Sequence, residues 1–293
     1  MGLLSRQTLK HRCLVLSKEG YSHVQLTRCF SINRSTLYRW LKAPTTALST
    51  LEKRILQLHE ESEFTYGVNR MMHALRLEGI PIGRAKVRKK MRALKLKPHY
   101  PKPVFYRKSL SHYAENTLNQ VFYTKDINTI WVGDISYIYT QQGWLYLAVV
   151  LDLFSRKVVG WACSKTIDTD LTEKALRLAV HRRKPQKGLL FHSDRGSQYT
   201  SKQYRDCLSE FHMVASQSRA GKCTDNAVTE RFFRSLKCER VHRQNYRTFD
   251  EALLNIADYI ERYYNHQRLH STLGYLSPVM FERQKANTKM LFN

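Results

Sequence analysis

The sequence offers little from which to build a disulfide or zinc framework. Its six cysteines stand at 13, 29, 163, 207, 223 and 238, and none pair as C-x-x-C. In a cytosolic chain they read as reduced and structural. His266 and His270 are four apart, but they lie in a polar stretch with no cysteine nearby and no Glu directly after the first. They read as surface polar contacts rather than ligands. No run approaches the ~18 apolar residues of a spanning helix. The first ten residues are too polar for a signal peptide, and no amphipathic terminal segment carries the basic charge, so a membrane role is excluded. Acidic residues are scarce: 24 Asp and Glu stand against 49 Lys and Arg, a net charge of +25. A surplus of that size calls for a polyanion, and with the membrane set aside that means nucleic acid. At 293 residues, 42% of them hydrophobic, the chain holds one to three domains and is not disordered as a whole.

The charge is uneven. Residues 1–120 hold 23 basic and 7 acidic residues, net +16, while 121–293 hold 26 and 17, net +9 over a longer stretch. The basic front has helical periodicity rather than low complexity. Residues 6–41 read as a small helical unit. Ser22 with Gln25 fits a capping box, and Asn33 caps a second helix over 34–40. Two short helices joined at 29–33 match a helix-turn-helix layout or, equally, any helical hairpin. In the first case Arg34, Ser35, Thr36 and Arg39 face the DNA groove while Leu37 and Trp40 pack.

A second helical set spans 50–97. Leu51, Ile55 and Leu58 make one apolar stripe, and Val68, Met71, Met72 and Leu75 another. After a break at 79–83, Val87, Met91 and Leu94 make a third. Around that last stripe stand Arg84, Lys86, Arg88, Lys89, Lys90, Arg92 and Lys95, and no acidic residue occurs from 84 to 97. A solvated helix normally interleaves Glu with Lys. Like charges this dense favour contact with a phosphate backbone over a merely solvated face. Residues 98–120, with Pro98, Pro101 and Pro103, read as an extended basic linker.

From 130 the period changes. Residues 130–140 are β-branched and aromatic, and 141–143 make a turn. Two further strands follow, over 144–151 and 157–163, completing a meander. An amphipathic helix over 171–181, a short strand ending at Ser193, a helix over 201–210 and a strand over 213–216 come next. A loop over 219–224 leads into a helix over 225–240. Hairpins followed by strand–helix alternation indicate an α/β mixed sheet with helices on its faces.

Three carboxylates stand out. Asp134 sits mid-strand among apolar neighbours, where an unpaired carboxylate is costly. Asp194 ends a strand of the buried type, where ligand sites of α/β sheets gather. Glu230 shares a helix face with Asn226, Arg234 and Lys237, while Val228, Phe232 and Leu236 stripe another. Hard oxygen ligands from separate elements suit one or two Mg²⁺ ions, and Mg²⁺ beside a charged polymer suggests phosphodiester chemistry. Taken singly, each acid has an ordinary reading: Asp194 as a turn cap, Glu230 as the partner of Arg234.

Asp134, Asp194 and Glu230, with 59 and then 35 residues between them, resemble the D, D, 35, E triad of retroviral-integrase-type transposases. The words around them are more specific: WVGDISYI from 131, LDLFSRKVVGW from 151, HSDRGSQY from 192, DNA from 225 and ERFFRSLK from 230, then Tyr264-Asn265 and Arg268-Leu269-His270. They resemble the second-frame protein of bacterial insertion elements with overlapping reading frames. The likeness covers roughly 50–285, and the Tyr66-Gly67 and 79–96 segments resemble that family's helix-turn-helix region.

The resemblance implies a ribonuclease-H-like catalytic core preceded by an all-α DNA-binding region. It implies Mg²⁺ or Mn²⁺, two ions, with Asp134 bridging both and Asp194 and Glu230 each completing one site. It places Lys237 against the element end. It implies DNA as partner, both terminal inverted repeats and target, with a first-frame protein of the same element and further copies of the chain on that DNA, in the bacterial cytoplasm at the nucleoid. The resulting division is a helix-turn-helix-like unit over 1–48, a second helical unit over 49–97, the linker over 98–120, the core with its C-terminal helix over 121–285 and a tail over 286–293. One departure is the absence of the His-His-Cys-Cys zinc module carried by the retroviral relatives. Two other readings share the basic front: a DNA-binding regulator on an inactive core, which would be expected to lose an acid, and a structure-selective nuclease, which leaves some 120 basic helical residues unexplained.

Overall fold

The computed structural model describes residues 19–42, 48–99, 126–218 and 227–291, with scattered residues between 9 and 17 and Thr124. Nearly all of the linker expected over 98–120, and the loop over 219–224, lie outside the described residues. The chain divides into two compact units, Met1–Arg54 and Ile55–Asn293.

In the first unit α1 (His23–Cys29) begins at the expected capping box. Ser22 Oγ accepts from Gln25 N at 3.3 Å, and Ser22 N donates to Gln25 Oε1 at 2.9 Å. Each bond satisfies a donor that the helix start leaves open. α2 (Arg34–Lys42) is entered through Asn33, whose Oδ1 accepts from Ser35 N. Leu26 and Leu37 close on Cys13, with Trp40 packed against them, while Arg34, Ser35 and Arg39 stay exposed.

α3 (Thr50–Glu61) runs across the boundary of the two units, followed by α4 (Val68–Leu77) and α5 (Arg84–Ala93). Ile55 and Leu58, then Met71 and Leu75, then Val87 and Met91 are buried, as the three stripes require. Arg84, Lys86, Arg88, Lys89 and Arg92 face solvent, and Lys90 is half-buried.

The sheet follows. β1 (Ile130–Thr140), β2 (Gly143–Asp152) and β3 (Val158–Ser164) form an antiparallel meander, and β4 (Leu190–Ser193) and β5 (Val214–Gln217) add in parallel beyond β1. The order is β3-β2-β1-β4-β5, the ribonuclease-H-like mixed sheet. Alternation along the strands splits the core into two layers. Val132, Ile138, Val149 and Leu151 meet Phe232, Phe233 and Leu236 of α8 (Ala227–Glu239), and Ala252 and Ile256 of α9 (Phe249–Asp258). Trp131, Ala148 and Val150 face the other way, toward Leu171, Ala175 and Ala179 of α6 (Thr169–Arg183) and Tyr204 and Leu208 of α7 (Lys202–Glu210).

Helix α9 passes into a π-helical stretch, Tyr259–Tyr264, and α10 (Pro278–Leu291) ends the described chain, continuing through most of the residues expected as a tail. Just after the π-helical stretch Asn265 clasps the start of β3: Val158 N donates to its Oδ1 and its Nδ2 donates to Val158 O, both at 3.0 Å. Among the described residues no helix is long and apolar enough to cross a membrane.

Candidate active site

Asp134 lies on the central strand. β1 pairs with β2 along its whole length, Asp134 standing opposite Val149. It pairs with β4 only from Ile130 to Val132, opposite Leu190 to His192. The two strands are parallel, so two residues further along Asp134 comes alongside Asp194, the first residue after β4. The site thus forms where β4 ends, at the carboxyl edge of the parallel pair. Gly133 is required by packing just before it: a Cβ there would lie 2.6 Å from Cζ of the buried Phe191 ring.

The three acids differ in their contact with water. Asp134 is half-buried, while Asp194 and Glu230 are exposed. Asp134 Oδ1 accepts from Ile135 N at 2.8 Å. Asp194 Oδ1 accepts from Gly196 N at 2.9 Å, opening the turn Ser197–Thr200. Glu230 stands in the first turn of α8. Burial, then the charge of Asp194 and that of Glu230, push the Asp134 carboxyl up to about 7, against the opposing pull of Ile135 N–H and Lys237. A carboxylate raised that far by burial and by like charges beside it is the environment of a functional site. Among the described residues no three His, Cys, Asp or Glu side chains are drawn together into a formed ligand shell. The acids are coupled through their charges.

Lys237 is the cation facing this charge. It is half-buried, and its Nζ lies 4.5 Å from the Tyr137 ring centroid. Burial lowers its pKa, and the charge of Asp134 acts the other way. Glu239, two residues further on, does not pair with it, because that carboxylate points into the protein. There it accepts from Arg268 Nε and Nη2, both at 2.7 Å, and from Tyr259 OH at 2.8 Å. Of the other sequence candidates, Arg84, Lys86, Arg88, Lys89 and Lys90 lie together on α5, and Arg34 and Arg39 on α2, in the first unit.

Three features escape the sequence. Tyr137, Tyr139 and Trp144 form an exposed aromatic group beside Lys237, Trp144 meeting the two tyrosines edge-on at 5.3 and 5.2 Å. Their signal is the Tyr-x-Tyr alternation on a strand whose other face is core. Asp152, the last residue of β2, is fully buried. It accepts from the backbone of Asn128, Phe154 and Ser155 and ties the β2–β3 connection together. His270, expected at the surface with His266, is buried beside Arg268, while His266 is exposed. The chain's return after the π-helical stretch carries it inward.

The comparisons with known proteins agree with this architecture. Family models described as integrase core domain match residues 125–223 and 230–285, and one described as an HTH-like domain matches 48–104. An uncharacterized 31 kDa protein of insertion element IS600 from Shigella sonnei is 35% identical over 88% of this chain and 98% of its own length. Transposase InsF of insertion sequence IS3A from Escherichia coli K12 is 36% identical over 90% of this chain and 95% of its own. Among solved structures, a chain of the simian T-cell lymphotropic virus intasome shares 15% identity over 78% of this chain and 74% of its own, with a TM-score of 0.45. With an integrase core, an HTH-like domain and relatives matched almost end to end, the chain belongs to the family of IS3-type insertion-sequence transposases, which are DDE-type polynucleotidyl transferases.

Proposed function

We propose that Asp134, Asp194 and Glu230 are the catalytic carboxylates, that they hold divalent cations, two Mg²⁺ or Mn²⁺ ions, and that the DNA ends of an insertion element and its target are cut and joined there. The observation that supports this reading is the β1–β4 register that brings Asp134 alongside Asp194 at the carboxyl edge of the parallel pair, where burial and the charges of Asp194 and Glu230 raise the Asp134 carboxyl. The donor set fits the ion. Mg²⁺ keeps several waters and commonly takes only one or two carboxylates directly. An exposed Asp194 and Glu230 around a half-buried Asp134 suit that hydrated mode better than a closed cage. When bound, such ions polarise the phosphodiester and stabilise the attacking and leaving oxygens of an in-line displacement.

The chain's own residues supply position and charge. The β1–β4 register fixes Asp134 beside Asp194, and the buried Phe232 and Leu236 hold α8 so that Glu230 faces the same edge. Lys237, anchored over Tyr137, offers a compact cation to a strand phosphate of the element end. Arg84, Lys86, Arg88, Lys89 and Lys90 on α5 take further backbone contacts, which position DNA without reading its sequence, and Arg34 and Arg39 on α2 face its major groove. In this reading a first-frame protein of the same element and further copies of the chain join it on the DNA, in the bacterial cytoplasm at the nucleoid.

The test is strand cleavage and joining on duplexes carrying the element's terminal repeats, which the flanking DNA supplies. Asp134→Asn, Asp194→Asn and Glu230→Gln should each lower both steps by at least about a thousandfold, some 4 kcal/mol at about 1.4 kcal/mol per tenfold, with duplex binding largely kept. Cleavage near the wild-type rate in the Asp194→Asn protein removes the assignment.

A further inference from the structure

Among the described residues α6 and α7 cover one face of the sheet only in part. They pack over Trp131, Ala148 and Val150, with Ile135 and Tyr146 partly buried at the margin of that layer. Further along the same face, toward the β1–β2 turn, stand Tyr137, Tyr139 and Trp144, which are 58, 61 and 47% exposed. The register sets Tyr137 opposite Tyr146 and Tyr139 opposite Trp144, so the three rings share that face.

The hairpin that carries them is held from behind. Ile138 and Leu145, paired across the strands, are buried in the opposite layer. At the turn, Gln141 N donates to Tyr246 O and Phe249 N donates to Gln142 Oε1, both at 2.9 Å. The rings therefore stand on a fixed backbone, and little freedom is lost when something binds them. Trp144 meets both tyrosines edge-on, and in an edge-on contact at least one ring keeps both faces clear of its neighbour.

Large aromatic rings left in water on a rigid surface mark a place of binding, and the surroundings identify the occupant. Tyr137 follows Asp134 by three residues on β1, about 10 Å at roughly 3.4 Å per residue. That is about three nucleotides along a strand, at about 3.4 Å each. Lys237 Nζ lies 4.5 Å from the Tyr137 ring centroid, which sets a cation for a backbone phosphate between the carboxylates and the rings. The net charge of +25 favours a polyanion over a second, equally positive copy of the chain. Open ring faces beside a cation are the means by which proteins hold single-stranded nucleic acid, since every base has a face to stack. Within an intact duplex those faces are already stacked on neighbouring pairs, so the rings require bases that have come unpaired.

We infer that Tyr139 and Trp144, with Tyr137 holding Lys237 beside them, form a stacking platform for unpaired bases next to the phosphodiester at the carboxylates. This rests on the reading that Asp134, Asp194 and Glu230 act on DNA. Stacking tolerates any base, so the platform selects opened strands without selecting their sequence.

The test uses the full chain and two duplexes of one random sequence, one blunt and one forked by mismatches over its last few pairs. The wild type should bind the forked duplex about tenfold more tightly or better, the scale of one stacked base. Tyr139→Ala and Trp144→Ala should each remove most of that preference. Both should keep the wild-type melting temperature, the affinity for the blunt duplex and the slope of log affinity against log salt, because no phosphate contact is lost. Tyr139→Phe and Trp144→Phe should keep the preference, since a ring face is all that stacking needs. A preference that survives both alanine variants overturns the platform. So does a loss that phenylalanine fails to prevent, which would assign the effect to the hydroxyl and indole groups. If the alanine variants instead lower the mass of the chain's assemblies in light scattering and leave the preference intact, the rings are a contact between copies and the proposal falls. A wild-type chain that binds neither duplex counts against the DNA reading itself, whereas equal binding of the two counts against the platform alone.

Discussion

Asp134 is held where its charge is least welcome, and stability bears the cost. Its carboxyl is pushed up to about 7 by burial and by Asp194 and Glu230, whereas an unfolded Asp titrates near ~3.9. The folded state therefore binds the proton more tightly than the unfolded state. Below about pH 4 the group is protonated in both states and costs nothing. Between about 4 and 7 the penalty grows with pH, and above 7 it is complete, on the order of 4 kcal/mol at about 1.4 kcal/mol per unit. Asp134→Asn keeps an oxygen for Ile135 N–H and removes the charge. With a chelator present, the variant should be more stable than the wild type at pH 8 by a few kcal/mol, with the gap shrinking to well under half at pH 5. Urea unfolding at the two pH values measures this. A variant no more stable than the wild type at pH 8 would mean that neither burial nor the neighbouring acids raise the Asp134 carboxyl. The same substitution is the one expected to abolish cleavage, so stability and activity should move in opposite directions.

Gly160 shows the same kind of constraint at the scale of an element. β3 and α6 approach so closely there that a Cβ would lie 2.2 Å from Ala175 O and 2.7 Å from Ala179 N. Both obstacles are helix backbone, which cannot rotate aside. Gly160→Ala must lift α6 off the sheet and should cost roughly 3 kcal/mol, at the upper end of overpacking penalties, read as a lower urea midpoint at unchanged slope. A loss within ~0.5 kcal/mol, the range of ordinary surface substitutions, would show that helix and sheet are not in contact at this point. This glycine was visible in the sequence, in the VVGW word after β2, but its purpose was not, because a missing Cβ does not reveal what lies across from it. The strands were legible because β-branched and aromatic residues alternate over 130–140, and the helix carrying Glu230 because its apolar stripe recurs at helical spacing. Asp134 stood out because an acid in mid-strand conflicts with its apolar neighbours, and Asp194 and Glu230 because their spacing from it and the words around them resemble a known triad. His270 was misread for the opposite reason: it sits in a locally polar stretch, and only the tertiary fold takes it out of water. The Arg268–Glu239 pair was hidden in the same way, its partners 29 residues apart and joined only after the π-helical stretch turns the chain back.

At the scale of the whole molecule, most of α3, together with α4 and α5, belongs to the same compact unit as the sheet. The end of α3 and the residues after it are tied to the C-terminal segments. Thr65 Oγ1 lies 2.6 Å from Tyr263 OH, which also donates to Ser62 O at 3.1 Å. Tyr66 OH donates to Gln267 O at 2.8 Å and accepts from Leu269 N at 3.2 Å. Glu63 binds Arg240 through its carboxylate and Arg243 through its carbonyl. A fragment starting at Thr124 would strip the partners from Tyr263 OH, Gln267 O and Leu269 N together and leave Arg240 with Asp258 alone. Each internal hydrogen bond lost contributes about 1 kcal/mol, and the apolar surface that the helices cover is exposed as well. Against the roughly 5–15 kcal/mol usual for a whole domain, that is a large loss. A fragment starting at Leu48 keeps α3 with its Ser49–Glu52 capping box and all of these ties. It should melt in one transition close to that of the full chain. The fragment from Thr124 should melt at least about 10 °C lower, at about 2–4 °C per kcal/mol for a chain of this size, or fail to stay soluble. Calorimetry on the two fragments decides the matter. Melting temperatures within a few degrees of each other would show that the sheet stands without the helices, and that the hydrogen bonds of Thr65 and Tyr66 to the C-terminal segment add little to its stability.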